Sequence, residues 1–247
     1  VLPEITSFSS LKNTSPDNNP IFPMMFVSIA CGAISGFHAT QSPMMARCLK
    51  TEKHARPVFY GAMIIEGIVA LIWAAVASAF FYENGMAENN AAVIVDSVTK
   101  EWLGIAGAFL ALLGVIFAPI TSGDTAFRSA RLIVADILKI DQKKISKRLL
   151  ISIPLFIASF LILQINFDIL WRYFAWCNQT LAVFTLWAIT IYLTKEKRNY
   201  LITLIPALFM TMVCVSYIFI APEGLSLNPT ISYIAGGVAT IISLILY

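Results

Sequence analysis

Residues 29–50 read IACGAISGFHATQSPMMARCLK, which places polar residues in the middle of an apolar run. A plain lipid-facing helix has no reason to hold Ser35, His38, Gln41 and Pro43 there, because polar groups are costly in the hydrocarbon interior. Backbone that leaves the helix at membrane depth is tolerated only against protein or a water-filled cavity. The stretch therefore predicts a broken span, unwound from Gly32 to Gln41, whose break faces a cavity.

The composition is that of an integral membrane protein. Of the 247 residues, 58% are hydrophobic and 13% are charged, and the mean hydropathy is +0.79. A soluble domain has about a quarter of its residues charged, so we predict an all-α polytopic protein whose partner is the lipid bilayer. The net charge of +3 is divided among short basic clusters between apolar runs, which predicts no nucleic-acid partner.

Apolar runs of about 17 to 25 residues suffice to cross a hydrocarbon core of about 30 Å. The sequence predicts about seven such transmembrane helices after an extracytoplasmic polar segment over residues 1–21. Their predicted bounds are 22–45, 58–81, 102–122 with a helical extension to 138, 149–165, 168–194, 200–220 and 230–247. The third is expected to be one long helix with a kink at Pro119, and residues 82–101 are expected to form an acidic connection before it.

The basic residues predict an orientation. The loops after predicted spans one, three and five hold four, seven and three Lys or Arg residues, and the opposite side has three. Because Lys and Arg accumulate in cytoplasmic loops, we predict that the N-terminus of this chain lies outside and the C-terminus inside. The chain begins at Val1 in a polar segment, and we expect it to be the later part of a longer protein, as a natural fragment or a truncation.

The polar residues of the interrupted stretch are the predicted substrate contacts. Gly32 and Gly36 have GxxxG spacing, which fits either a close helix contact or a site. His38 either carries a proton or binds an anionic group of the cargo, or it is a structural histidine bridging two helices. The predicted substrate-binding residues are Ser35, Gly36, His38, Thr40 and Gln41.

Two further places could couple transport to an ion. Glu66 is the one charge of the second span, and a membrane carboxylate either relays protons or pairs with a loop cation. Hydroxyl oxygens in TSGDT (121–125) suit a hard cation. Asp124 and Arg128 are four residues apart on one helix face, which predicts an ion pair. The predicted coupling residues are Thr121, Ser122, Asp124, His38 and Glu66.

Other features point to packing. Asn178, Gln179 and Thr180 follow a group of aromatic residues typical of an interfacial belt, and their side chains either bridge helices or line a cavity. Cys31, Cys177 and Cys214 lie in apolar runs, and Cys48 follows the first run within a basic cluster. None has CxxC spacing, so we expect all four to be small core residues. No hydrolase, metalloprotease or nucleotide-binding motif occurs. We expect no enzymatic activity, no metal and no cofactor.

Four stretches resemble the carbon starvation protein (CstA) family. They are CGAISGFHATQSPMMARCLK (31–50), YGAMIIEGIVALIWA (60–74), APITSGDTAFRSARLI (118–133) and WRYFAWCNQTLA (171–182). The family comprises transporters of the bacterial inner membrane implicated in peptide uptake, with some members taking up pyruvate. It is grouped with the amino acid-polyamine-organocation superfamily.

The resemblance implies the second half of a LeuT-like fold of two inverted five-helix repeats. The first span would be the broken first helix of that repeat. Thr121 and Ser122 match positions that complete a sodium site in sodium-coupled members, although the coupling ion stays open between sodium and proton. Counterparts of the first five helices are absent. We therefore expect the missing N-terminal half to be a partner, and this polypeptide alone not to transport.

These observations lead to a secondary active transporter that imports small nutrients, foremost peptides, during carbon limitation. A pyruvate/proton symporter of the same family is the alternative. A nutrient-sensing membrane receptor is the alternative of another class. A membrane-embedded hydrolase would need Ser35 or Ser42 to converge with His38. Oligomeric state is left open.

Overall fold

A computed structural model describes residues 20–29, 32, 34–84 and 91–247. The predicted polar segment lies outside these residues except for its last two. Every regular element in the described ranges is helical. The α-helices are α1 (Ile21–Ile29), α2 (Phe37–Cys48), α3 (Ala62–Asn84), α4 (Ala91–Ile137), α5 (Ile145–Ile162), α6 (Phe167–Lys195), α7 (Leu201–Ile220) and α8 (Pro229–Leu246). A 3-10 turn (Glu52–His54) and a π-helical turn (Arg56–Gly61) precede α3.

The predicted class, an all-helical multi-pass membrane protein, is confirmed. Six helices in the described residues are long and apolar enough to cross a membrane. The first predicted span is not among them, because it is divided between α1, with 9 residues, and α2, with 12. At a rise of about 1.5 Å per residue neither piece crosses the hydrocarbon core alone.

The predicted interruption is confirmed, but it ends before Phe37 and does not extend to Gln41 as predicted. Helix α1 ends at Ile29 and α2 begins at Phe37, and the described residues 34–36 between them are not helical. The backbone N–H of Phe37 donates to Ser35 Oγ over 3.2 Å. Such a contact satisfies an N–H that the first turn leaves unpaired. His38, Thr40 and Gln41 therefore lie on the first turns of α2, not on unwound chain.

The chain divides into two compact units, whose described parts are residues 49–158 and residues 20–48 with 159–247. In the first unit, α4 is a single element of 47 residues. Its backbone leaves helical values at Gly104, where φ is 67° and ψ is −168°. Glycine adopts this region without the penalty of a Cβ atom. The interruption thus falls at Gly104, and the backbone at Pro119 stays helical.

The predicted acidic connection over residues 82–101 is largely helical. Helix α4 already begins at Ala91, and residues 85–90 lie outside the described part of the chain. Val98 and Thr99 are 3% and 6% exposed, so this first segment of α4 buries one face. Burial of that face outweighs the polar composition from which a connection was predicted.

The second unit is built around α7. Its buried cluster joins α1, α6 and α7 and consists of Val27, Val183, Met210, Val213, Cys214, Tyr217 and Ala221. Two indole N–H groups of α6 also donate hydrogen bonds to α7. Trp176 Nε1 donates to Cys214 O over 3.1 Å, and Trp187 Nε1 donates to Thr211 Oγ1 over 3.0 Å. This packing holds α1 against α6 and α7.

The connection after α7 is tied to the beginning of α6. Glu223 has a side chain only 4% exposed, and its Oε2 lies 3.3 Å from Arg172 Nε. Tyr173 donates its hydroxyl to the carbonyl of Glu223 over 2.8 Å. The residues predicted as an aromatic belt thus also include a structural anchor, while Trp171 remains 53% exposed.

The cysteine prediction is right for one residue and wrong for two. Cys214 is buried in the α7 core. Cys177, expected in a core, is exposed, as is Cys48. An apolar neighbourhood in the sequence of a membrane helix does not distinguish the protein-facing side from the lipid-facing side. Cys31 lies outside the described residues.

Replacing Gly236 by alanine is expected to destabilise the second unit by about 1–3 kcal/mol, because the added methyl group overfills a packed contact. A Cβ at Gly236 would lie 2.2 Å from Ser216 Oγ and 3.1 Å from the carbonyl oxygen of Met212, both on α7. Gly237 has open space at the same position, so Gly237→Ala is the matched control. Both variants are compared by thermal unfolding of the detergent-solubilised chain. Equal unfolding midpoints for Gly236→Ala and Gly237→Ala would contradict the close contact.

Candidate functional site

A cleft of about 210 Å³ lies immediately after the helix break, in the second unit. One wall comes from the start of α2 and the other from the middle of α6. The lining residues are Gly36, Phe37, Thr40, Phe174, Cys177, Asn178 and Leu181. Two of the five predicted substrate-binding residues, Gly36 and Thr40, are among them.

A buried polar contact joins the break to α6. Asn178 Nδ2 donates to Ser35 Oγ over 3.3 Å, and the two residues are 7% and 6% exposed. A buried polar group left without a partner costs about 1–3 kcal/mol, so the pair stabilises this arrangement of break and helix. Ser35 therefore lies behind the cleft, and Asn178 both bridges the helices and lines the cavity, the two roles that the sequence left open.

Gly36 allows the break to approach α6 closely. A Cβ on this residue would lie 2.3 Å from the carbonyl oxygen of Asn178 and 2.9 Å from Leu181 Cβ. Both readings of Gly36, close helix contact and site residue, are thus compatible with its position. Absence of a side chain here leaves room for the cleft and brings the α6 backbone to its edge.

His38 is half-buried, and its ring is oriented by the break. Its Nδ1 lies 2.8 Å from the carbonyl oxygen of Ser35. Because a carbonyl only accepts hydrogen bonds, Nδ1 carries the hydrogen in this contact. His38 and Gln41 are not among the lining residues of the cleft.

The apolar wall of the cleft was missed by the sequence reasoning. The ring centroids of Phe37 and Phe174 are 5.8 Å apart across it. On α6, Phe174, Asn178 and Leu181 follow the spacing i, i+4, i+7, which places them on one helix face. That spacing was available in the sequence, but nothing local indicated that this face meets the break.

The predicted coupling residues lie in the first unit, apart from His38. Thr121 and Ser122 are exposed on α4, as is Asp124. Thr121 Oγ1 donates to the carbonyl of Ala118 over 2.9 Å, and Thr125 Oγ1 donates to the carbonyl of Thr121 over 3.1 Å. The hydroxyls of Thr121 and Thr125 therefore bond within their own helix, to backbone carbonyls three and four residues earlier.

The predicted ion pair is confirmed, with Arg128 Nη2 at 2.8 Å from Asp124 Oδ2. Both side chains are more than half exposed, at 57% and 69%, so the pair adds at most about 1 kcal/mol. Glu66 lies exposed on α3 in the same unit.

The fold and cleft define a multi-pass membrane protein with a helix break between α1 and α2 beside a cleft. Secondary transporters build their binding sites with discontinuous helices. The family model of the carbon starvation protein CstA matches residues 1–104 and 82–217. The chain belongs to this family, which confirms the resemblance seen in the sequence.

Three relatives show how far the similarity extends. An uncharacterized protein of Haemophilus influenzae is 47% identical over 125 residues, 51% of this chain and 90% of that protein. The peptide transporter CstA of Escherichia coli is 32% identical over 130 residues, 51% of this chain and 18% of that protein. The pyruvate/proton symporter BtsT of the same organism is 43% identical over 67 residues, 27% of this chain and 9% of the symporter. The chain thus matches only a small part of the two transporters. No solved structure matches it.

Proposed function

We propose that this chain is the C-terminal part of a secondary active transporter of the bacterial inner membrane that imports peptides during carbon limitation. Membership of the CstA family and the names of its relatives support a transporter. The observation that carries the proposal is the division of the first crossing into α1 and α2, with a cleft between the break and α6.

We further propose that α1 and α2 are the broken first helix of the second repeat in a LeuT-like 5+5 fold, with the N-terminal half as the missing partner. The N-terminus of this chain would then lie on the outer side of the membrane and the C-terminus on the cytoplasmic side. The distribution of Lys and Arg supports this orientation. A cleft of about 210 Å³ is below the range of about 300–1,000 Å³ usual for ligand pockets, as expected if the other half completes the site.

The chemistry of the cleft favours peptides over pyruvate. Its polar groups are the Thr40 hydroxyl and the Asn178 amide, and no Lys or Arg is among its lining residues in the described part of the chain. A neutral amide and a hydroxyl pair well with peptide groups, and the facing Phe37 and Phe174 rings suit an apolar side chain. The carboxylates of pyruvate and of a peptide would both be held better by a charged donor, but only the peptide also has a peptide group and side chains for the cleft to contact.

Coupling is proposed to use a proton at His38 or Glu66, or a sodium ion at Thr121, Ser122 and Asp124. The hydrogen bond between His38 Nδ1 and the carbonyl oxygen of Ser35 supports proton coupling at His38, because it links the imidazole directly to the break. The hydroxyl pattern on α4 supports the sodium route only through the family resemblance.

Uptake by cells that express the complete gene tests this function. A labelled, hydrolysis-resistant dipeptide and labelled pyruvate are offered separately, with and without a proton uncoupler. We expect saturable accumulation of intact dipeptide that the uncoupler abolishes. Accumulation of pyruvate alone would favour the symporter. Binding without accumulation would favour the receptor, and cleaved products of an ordinary dipeptide outside the cell would favour the hydrolase.

In the complete protein, His38→Ala is expected to reduce uptake at least tenfold or to move its pH optimum toward acid, because the imidazole that contacts the break is lost. His54→Ala is the matched control, since His54 is exposed in the 3-10 turn Glu52–His54 of the first unit. Initial rates between about pH 5.5 and pH 8.5 measure the effect. A pH profile identical to that of His54→Ala would remove His38 from the mechanism.

A further inference from the structure

A second cavity, of about 510 Å³, lies in the first unit between the end of α4 and the start of α5. Most of its lining is polar or charged: Asp124, Arg128, Arg131, Gln142, Arg148 and Ser152. Three guanidinium groups face one carboxylate, which leaves the lining with a net charge of +2. Arginine stays protonated throughout the accessible pH range, so this positive charge is permanent.

Existing contacts use only part of these donors. Arg128 donates to Asp124, and Arg148 Nε donates to the carbonyl of Gln142 over 2.6 Å. Arg131 Nε and Gln142 Oε1 are buried and have no hydrogen-bond partner among the described residues. A buried polar atom without a partner is costly, and more so when its group is charged. The cavity therefore has a positive lining in which the hydrogen-bonding capacity of the arginine side chains is only partly used.

The other wall of the cavity is apolar. The rings of Phe127 on α4 and Phe156 on α5 have their centroids 4.4 Å apart, and Leu132 lies beside them in the lining. A ligand here would combine an oxyanion, which the forked guanidinium groups bind through paired hydrogen bonds, with an apolar portion against these rings.

We propose that this cavity binds a phosphate group. The headgroup phosphate of an anionic phospholipid is one source, and free phosphate is the other. The guanidinium groups of Arg128, Arg131 and Arg148, which line the cavity, would donate to the phosphate oxygens. Basic pockets between membrane helices are known to hold lipid headgroups. The inference uses no residue of the α2–α6 cleft and does not depend on the transported substrate.

The full chain, purified in a neutral detergent and stripped of lipid, tests the proposal. One arm follows thermal unfolding in sodium phosphate against sodium chloride at equal ionic strength. The other arm measures binding of phosphatidylglycerol against phosphatidylcholine by native mass spectrometry. We expect at least one of the two anionic probes, phosphatidylglycerol or inorganic phosphate, to bind at the cavity. Preference for phosphatidylglycerol over the zwitterionic phosphatidylcholine identifies the anionic lipid headgroup, and stabilisation by inorganic phosphate alone identifies the free ion.

Arg131→Gln is expected to lower the affinity for whichever probe the wild type binds about tenfold. Lys147→Gln is the matched control, because Lys147 loses the same charge from the nearby start of α5 but does not line the cavity, and we expect a change below twofold. Arg131→Lys keeps the charge without the fork and covers the case in which Arg131→Gln fails to fold; it should weaken binding severalfold. The proposal is overturned if the wild type binds neither probe, or if the Arg131 variants and Lys147→Gln weaken binding equally.

Discussion

Replacing Gly36 by alanine is expected to abolish uptake by the complete transporter. The new Cβ would lie 2.3 Å from the carbonyl oxygen of Asn178, and a backbone atom of a packed helix cannot turn aside as a side chain can. Overfilling of this kind costs about 1–3 kcal/mol and occasionally more, so α2 must move away from α6. For Gly36→Ala we expect no measurable initial rate of labelled dipeptide uptake. We also expect a lower midpoint of thermal unfolding than that of the wild type.

Gly114→Ala is the control for this experiment. Gly114 lies inside α4 with no atom near the position of an added Cβ, and alanine favours helix over glycine by up to about 1 kcal/mol. This variant should transport normally and be no less stable than the wild type. If Gly36→Ala transported equally well, the close approach of break and α6 would not be required for activity.

Replacing Asn178 by leucine is expected to raise the KM for peptide at least tenfold and to lower stability. The variant removes an amide from the cleft. It also removes the Asn178 Nδ2 donor, which lies 3.3 Å from the buried Ser35 Oγ. Loss of one partner from a buried polar pair costs about 1–3 kcal/mol. Concentration-dependent uptake separates the effect on KM from a lower amount of folded protein.

A double-mutant cycle of Ser35→Ala and Asn178→Ala isolates the contact itself. Since the two side chains touch, their effects on unfolding free energy should be non-additive by about 0.5 kcal/mol or more. Thr185→Ala serves as the control on the same helix, because its hydroxyl bonds only within α6, to the carbonyl of Leu181. Additive effects of Ser35→Ala and Asn178→Ala would show that the contact does not stabilise the break.

The break could be predicted from the sequence, but its length could not. Polar residues from Ser35 to Gln41 suggested one continuous unwound segment. The structure resumes the helix at Phe37 because Ser35 Oγ accepts from the Phe37 N–H and Thr40 Oγ1 donates to the carbonyl of Phe37. Polar side chains that satisfy nearby backbone groups can thus begin a helix as well as interrupt one.

Helix α4 shows the reverse situation. Pro119 was the obvious local cause of a kink, yet the backbone there remains helical and Thr121 donates to the carbonyl of Ala118. Gly104 looked unremarkable within an apolar run and instead holds the interruption, at φ 67°. A glycine permits this conformation without requiring it, so only the packed chain reveals which glycine is used.

The sequence by itself determined that this protein is a helical membrane protein of the CstA family, with an interrupted helix where the polar residues follow Ile29. It could do so because hydrocarbon supplies no hydrogen bonds, so that span length and polar interruptions are recorded locally along the chain. Tertiary structure alone decided which side chains meet: Ser35 with Asn178, 143 residues away, and the apolar wall that completes the cleft. Those contacts depend on which faces of two distant helices pack together, and periodicity within either helix does not specify its partner.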